Sequence, residues 1–335
     1  MTIAAAFVFA FLVCVIGVYV FRRIALRSTM LLDIPNERSS HSQPIVRGAG
    51  LAIVLTVLIG YIVSSGSKTS LAYAAAAAGI AVVSFIDDLR SIPFFPRLIV
   101  HFAAATALVY WCGGYPGITL PVTGSTLDFG LPGVVLTILF IVWMTNAFNF
   151  MDGIDGLAGT QGVGAGVGWM LIGIASDQPA MALVGALVAG ACLGFLLFNW
   201  QPASVFMGDV GSTFLGFTLA SVPLITAETT APARNEGFLL AAAFLWLFLF
   251  DSVFTRLRQV LKLRPFWRAH REHIYQQIVV SGATHGSVAS FFGVVAILIS
   301  LTAGFKSQIG QGPLAGLLIG APIVLLLVAR KKRLT

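Results

Sequence analysis

The chain has 335 residues, 58% hydrophobic and only 10% charged, with a formal charge of +7 and a mean hydropathy of +0.93. A soluble domain of this length exposes far more polar surface. With no basic soluble domain in the chain, the composition also excludes a nucleic-acid-binding protein.

Apolar stretches of about 17–25 residues cross a bilayer as helices. Eleven are read in chain order: 3–21, 48–65, 71–86, 97–113, 130–147, 160–176, 180–198, 211–226, 237–254, 288–305 and 313–329. The expected fold class is all-α integral membrane, a polytopic bundle of about 11 transmembrane helices in one domain over residues 1–335. The first stretch has no basic run before it and is followed by Arg22 and Arg23. That is the pattern of a retained anchor rather than a signal peptide. With the N-terminus outside, the inner segments are 22–47, 87–97, 146–160, 199–212, 255–287 and the C-terminal tail. Of 20 Lys and Arg, only Lys68, Arg234 and Lys306 then fall outside. The bias predicts a periplasmic N-terminus and a cytoplasmic C-terminus. Of 13 acids, only Asp128, Asp177, Glu228 and Glu236 fall outside. Mixed charge on one face, beside Gly-rich turns, suits an anionic ligand held through a divalent metal. The three cysteines, Cys14, Cys112 and Cys192, lie in or at the ends of apolar stretches. Without CxxC or His/Cys spacing they read as small packing residues, with no disulfide framework and no zinc site.

The inner loops hold the unusual chemistry. The first contains DIPNERSSHSQPIVRGAG, with His41 and Arg47 as anion-binding candidates. Asp87 and Asp88 follow the third stretch; on a helix adjacent side chains point about 100° apart, so one can ligate or accept a proton while the other supports it. The alternative is a solvated helix end. In NAFNFMDGIDGLAG, residues 146–159, the residues Asn146, Asn149, Asp152 and Asp155 recur every three positions. If helical, they line one slowly drifting face. Oxygen-only ligands suit Mg²⁺, which prefers few protein ligands plus phosphate oxygens. The alternative is an Asn/Asp/Gly turn.

Phe206 to Ser212 reads FMGDVGS. Backbone N–H groups at the start of the eighth helix attract phosphate, and Asp209 could hold the bridging metal. An N-cap by Asp209 or Ser212 is the alternative. In the last inner loop His270, Arg271, Glu272 and His273 follow Arg268 and suit a diphosphate or sugar phosphate. Equally, Leu257, Val260, Leu261, Phe266 and Trp267 could dip among membrane lipids while the bases stay wet. His101, inside the fourth stretch, reads as a hydrogen bond to a neighbouring helix. His285 has no supporting context, and Asp251 reads as a partner of Arg256 or Arg258.

In this order the motifs resemble the polyprenyl-phosphate N-acetylhexosamine-1-phosphate transferases, over nearly the whole chain. The resemblance rests on DIPNERSSHSQPIVRGAG, the pair at 87–88, NFMDGIDGLAG, FNWQPASVFMGDVGS and HREHIYQ. The RSSHS and HREHIYQ forms look most like O-antigen-initiating enzymes, and the triple-His motif of the peptidoglycan branch is missing. Ala49 departs from the usual RGGG or RxGG. The resemblance implies that Asp209 is the principal Mg²⁺ ligand, with Asn149 second and Mn²⁺ a possible substitute. It implies that Asp152 and Asp155 contact the nucleotide sugar, and that Asn199 and Phe206 read and stack on uracil. Asp87 and Asp88 match the pair assigned to the lipid phosphate and catalysis; His270 and His273 match the family's His motif, with Arg271 beside them. The expected partners are a UDP-N-acetylhexosamine and undecaprenyl phosphate, in a bacterial inner membrane, with a homodimer admitted. The expected reaction is attack of a polyprenyl phosphate oxygen on the β-phosphorus of UDP-FucNAc, UDP-QuiNAc or UDP-GlcNAc, releasing UMP. A transporter or flippase for a lipid-linked sugar is the alternative; it predicts ionisable groups near the bilayer midplane rather than at inner helix ends.

Overall fold

The computed structural model describes residues 2–27, 31–33, 44–65, 68–115, 117–119, 125–226, 231–263 and 272–333. Helices dominate because an apolar span in lipid must satisfy its backbone N–H and C=O groups internally. Helix α1 (Ile3–Ala25) starts where the Thr2 hydroxyl accepts the Ala5 N–H at 3.2 Å, and ends with Arg22 and Arg23 beside its carbonyl end. Two short strands paired antiparallel, β1 (Leu32–Asp33) and β2 (Ile45–Val46), precede α2 (Leu51–Ser65), α3 (Lys68–Arg90) and α4 (Phe94–Cys112). A second such pair, β3 (Gly117–Thr119) with β4 (Thr126–Asp128), precedes α5 (Leu131–Met151). Then come α6 (Leu157–Ala175), α7 (Pro179–Asn199), α8 (Gly208–Ile225), α9 (Ala231–Phe244) and α10 (Trp246–Leu261). The chain closes with α11 (Ile274–Val280), α12 (His285–Gly304), α13 (Lys306–Ile309) and α14 (Gly312–Arg333).

Among the described residues, nine helices are long and apolar enough to cross a membrane, which makes this a helical, multi-pass membrane protein. Two of the eleven expected spans differ from expectation. The stretch read at 48–65 forms only the 15-residue α2, because Arg47 to Gly50 run alongside 205–207 instead of extending the helix. The stretch read at 237–254 is broken: α9 and α10 meet at 78°. Helix α10 buries Asp251, Ser252, Thr255 and Gln259 and exposes Leu257, Val260 and Leu261. Its polar stripe faces protein and its apolar stripe faces outward, an arrangement suited to an interfacial helix.

Helix α8 lies at the centre, with every residue but Asp209 buried. Buried hydroxyls register it against α3: Ser84 meets Thr213 at 2.8 Å and Tyr73 meets Thr218 at 2.7 Å. On its other side α8 packs on α5. Helices α1, α7, α6 and α12 form a contacting row. Within it α6 and α7 approach backbone to backbone, since a Cβ added at Gly185 would lie 2.2 Å from the Met170 nitrogen. Cys14, Cys112 and Cys192 are buried, free thiols.

Candidate active site

The C-terminal ends of α3 and α5 and the N-terminal ends of α4 and α8 meet at one end of the bundle. The adjacent carboxylates on α3 diverge there, as helical geometry requires. Asp88 turns to the start of α8 and accepts the backbone N–H groups of Asp209 at 2.9 Å and Val210 at 3.0 Å. This cap comes from 121 residues away in sequence, not from Asp209 or Ser212. It also takes two of the helix-start amides expected to attract phosphate. Asp87 faces the other way, bonding the Ile92 N–H and pairing with Arg97.

Glycine makes the Asp88 approach possible. Gly208 has φ +75°, and a Cβ there would lie 2.6 Å from Asp88 Oδ2 and 2.8 Å from Gly48 Cα. The first loop runs along the same turn: Phe206 N–H donates to Val46 O at 2.7 Å, Ala49 N–H to Phe206 O at 3.1 Å and Gly50 N–H to Met207 O at 2.9 Å. The loop thereby delivers Arg47, whose Nε pairs with Asp88 Oδ1 at 2.8 Å and whose Nη2 pairs with Asp209 Oδ1 at 2.8 Å. Burial opposes the Arg47 charge, but Asp88 and Asp209 outweigh it and raise its pKa. Arg97, in the first turn of α4, completes the cluster by bridging Asp87 and Asp209. Each oxygen of Asp209 therefore carries a guanidinium.

Asn149, near the end of α5, lies beside Asp209 and donates to Ser212 Oγ at 3.1 Å. Asp152 caps α5 and stands half-buried. Withdrawal from water, with the Asp209 and Asp88 carboxylates nearby, pushes its pKa well above the usual carboxylate range. The expected single face of Asn146, Asn149, Asp152 and Asp155 does not form, because α5 ends at Met151 and the chain turns. Asp155 lies beyond that turn, accepting Ala203 N–H at 3.1 Å, with His285 Nδ1 3.4 Å from its Oδ1. Asn199, 2% exposed, uses its amide as a clasp: Oδ1 accepts Gly156 N–H at 3.0 Å and Nδ2 donates to Val205 O at 2.9 Å. Phe206, half-buried, sits on the strip pinned to the first loop.

His273 is buried and held by Asp251, Nδ1 to Oδ1 at 2.9 Å. Asp251 also accepts the N–H groups of Ile274 and Tyr275 at 3.1 Å each, so it caps α11 instead of pairing with Arg256 or Arg258. Tyr275 then donates its hydroxyl to Phe150 O at 3.0 Å, tying α11 to the Asp152 turn. Sequence reasoning passed over Arg97 and His285. Arg97 carried a weak signal as a lone cation entering an apolar helix; His285 carried none. His41, His270 and Arg271 lie outside the described residues. Among the described residues no group of three or more His, Cys, Asp or Glu side chains is arranged to hold a metal ion.

Comparison with known proteins gives the chain's relatives. Residues 70–227, which carry Asp87, Asp88, Arg97, Asn149, Asp152 and Asp209, match glycosyl transferase family 4. A phospho-N-acetylmuramoyl-pentapeptide-transferase of Synechococcus sp. is 30% identical, over 87% of this chain and 84% of that protein. A probable undecaprenyl-phosphate N-acetylglucosaminyl 1-phosphate transferase of Bacillus subtilis is 27% identical over 90% and 84%. A decaprenyl-phosphate N-acetylglucosaminephosphotransferase of Mycobacterium leprae is 27% identical over 76% and 71%. With relatives of this similarity running along most of its length, and the family match spanning the acid cluster, the chain belongs to glycosyl transferase family 4.

Proposed function

We propose that the protein is a phosphotransferase that moves HexNAc-1-phosphate from a UDP-N-acetylhexosamine to undecaprenyl phosphate at the cytoplasmic membrane face. The product begins a cell-surface polysaccharide of the O-antigen type. The observation that carries this reading is the convergence of Asp87, Asp88 and Asp209 with Arg47 and Arg97. The relatives' names supply the reaction class: each is named for transfer of a sugar phosphate, and two name a polyprenyl phosphate.

In this reaction an oxygen of the lipid phosphate bonds to the β-phosphorus as the bond from that phosphorus to the bridging oxygen breaks, and UMP leaves. A phosphate monoester has a second pKa of about 6, so the acceptor needs little deprotonation. Catalysis then rests on positioning and charge. Arg97, and the Nη2 that Arg47 places on Asp209, turn from carboxylates to phosphoryl oxygens. Asp88 keeps the start of α8 and Arg47 in place. Asp87, joined to Asp209 through Arg97, sits where the acceptor phosphate meets the cluster. Asp152, Asp155 and Phe206, with Asn199 bracing the turn, form the nucleotide wall, and His273 closes it near Phe150.

The donor set fits Mg²⁺: Asp209 and its neighbour Asn149 offer two oxygen ligands, leaving the rest to phosphate and water. What bound Mg²⁺ supplies is neutralisation of the diphosphate charge. The test is release of UMP from a panel of UDP-HexNAc donors by membranes containing the overproduced protein. Release that needs both undecaprenyl phosphate and Mg²⁺ is expected with at least one donor. No release above control membranes with any donor would overturn the reading.

A further inference from the structure

Helices α4 and α5 pack together, and each carries polar residues at two levels. Arg97 and Asn149 stand at the level of the acid cluster. One turn further along stand His101, four residues after Arg97, and Asn146, three before Asn149. At 1.5 Å rise per residue this second level lies about 4.5–6 Å deeper in the apolar part of the bundle.

His101 is 3% exposed, and neither ring nitrogen has a hydrogen-bond partner among the described residues. Asn146, on the neighbouring helix as expected for His101, lies close enough to reach one ring nitrogen, while its own amide nitrogen donates to Val142 O at 2.7 Å. The Nε of Arg97 is likewise buried and unpartnered, although its Nη1 holds Asp87 and Asp209. A buried imidazole with an unpaired ring nitrogen is destabilising, and an apolar side chain would fill the same space without that penalty. The two sets of orphan nitrogens lie one turn apart on one face of α4, next to the acid cluster. A ligand with several acceptor oxygens satisfies both.

We propose that His101 is a phosphate-binding residue, its ring N–H donating to a phosphoryl oxygen that Arg97 holds by charge. This contact presupposes the transferase reading and adds to it a second, deeper layer. Its depth selects the lipid-borne phosphate: a lipid headgroup enters from the apolar side of the cluster, whereas a nucleotide sugar arrives from water.

Two variants of the full chain test this contact. His101→Leu removes the donor and packs the space; His101→Gln keeps an N–H of similar reach. The KM for undecaprenyl phosphate and for the UDP-HexNAc are measured separately. The thermal midpoint of the solubilised protein is followed with undecaprenyl phosphate alone and with UDP alone, which reads binding without turnover. The Leu variant is expected to raise the KM for undecaprenyl phosphate about tenfold or more and to lose the undecaprenyl phosphate shift while keeping the UDP shift. Gln should recover most of both, and the ligand-free midpoint of the Leu variant should hold or rise. Changes confined to the UDP-HexNAc KM and the UDP shift assign the same N–H to the donor diphosphate, which keeps the phosphate contact and overturns the lipid source. Unchanged KM values and shifts for both ligands overturn the contact itself. So does a fall in the ligand-free midpoint that Gln does not repair. If the wild type turns over no UDP-HexNAc, the transferase reading fails, and the two binding shifts still decide the phosphate contact.

Discussion

Asp87 and Asp88 are neighbours in sequence, yet their substitution is expected to fail in different ways. The Asp88 side chain is fully buried and takes three donors: Asp209 N–H at 2.9 Å, Val210 N–H at 3.0 Å and Arg47 Nε at 2.8 Å. A hydrogen bond to a charged acceptor is worth about 1.5–3 kcal/mol, and loss of a helix cap about 0.5–2 kcal/mol. Arg47 keeps Asp209 as a second partner and is partly solvated, so it is not stranded. Asp88→Ala should therefore cost about 3–4 kcal/mol, which for a chain of this size lowers the thermal midpoint by about 5 °C or more. Asp87 bonds one N–H, in the turn at Ile92, and pairs with Arg97. Asp87→Asn keeps hydrogen-bonding oxygen and shape, so its cost should stay near 1 kcal/mol, about the net worth of one hydrogen bond. Both variants should lose UMP release, but only Asp88→Ala should lose stability. Thermal unfolding of the solubilised protein, run beside the UMP assay, reads both. An Asp88→Ala midpoint equal to that of the wild type would refute the capping role, and a larger drop in Asp87→Asn would reverse the assignment.

Gly208→Ala places a Cβ 2.6 Å from Asp88 Oδ2 at φ +75°, so it should destabilise by about 1–3 kcal/mol and abolish UMP release. Gly48→Ala, where the nearest side-chain atom is 3.6 Å away, should be milder in the same two assays despite φ +86°. Gly153→Ala places a Cβ 2.1 Å from the Tyr275 hydroxyl and should cut UMP release by displacing the Asp152 turn. Tyr275→Phe removes that oxygen, so the double variant should regain activity over Gly153→Ala alone. Asp209→Asn should abolish Mg²⁺-dependent release while the protein stays in the membrane fraction; retained activity would sink the metal assignment.

Much of the architecture was legible because bilayer physics writes itself into runs of apolar residues. Nine of the eleven expected spans correspond to helices of full length among the described residues. The two that differ were decided by contacts that no local window holds. Helix α2 is short because Ala49 and Gly50 bond to Phe206 and Met207. Helix α10 bends away from α9, and its buried face commits Asp251 to α11. The site divides similarly. Asp87, Asp88, Asn149, Asp152 and Asp209 stood out as polar groups at helix ends, and they converge. Their partners were hidden, because capping α8 with a carboxylate from α3 depends on how those helices pack. His285 looked idle because Asp155 is 130 residues away in sequence.

The charges of the cluster say how a phosphate must enter. Two guanidiniums face three carboxylates, Asp87, Asp88 and Asp209, leaving one excess negative charge where the transferase reading puts a polyanion. The raised pKa of Asp152 favours its neutral form and keeps that excess from growing. Arg97 is shared between Asp87 and Asp209, so a phosphate that draws it away weakens two ion pairs at once and leaves both carboxylates short of a cation. Binding a diphosphate there without a divalent ion would set like charges together in a partly buried site, at a cost of several kcal/mol. On the transferase reading, nucleotide and Mg²⁺ should therefore bind with strong mutual dependence. On the same reading that dependence should run through Asp209, on which both arginines meet.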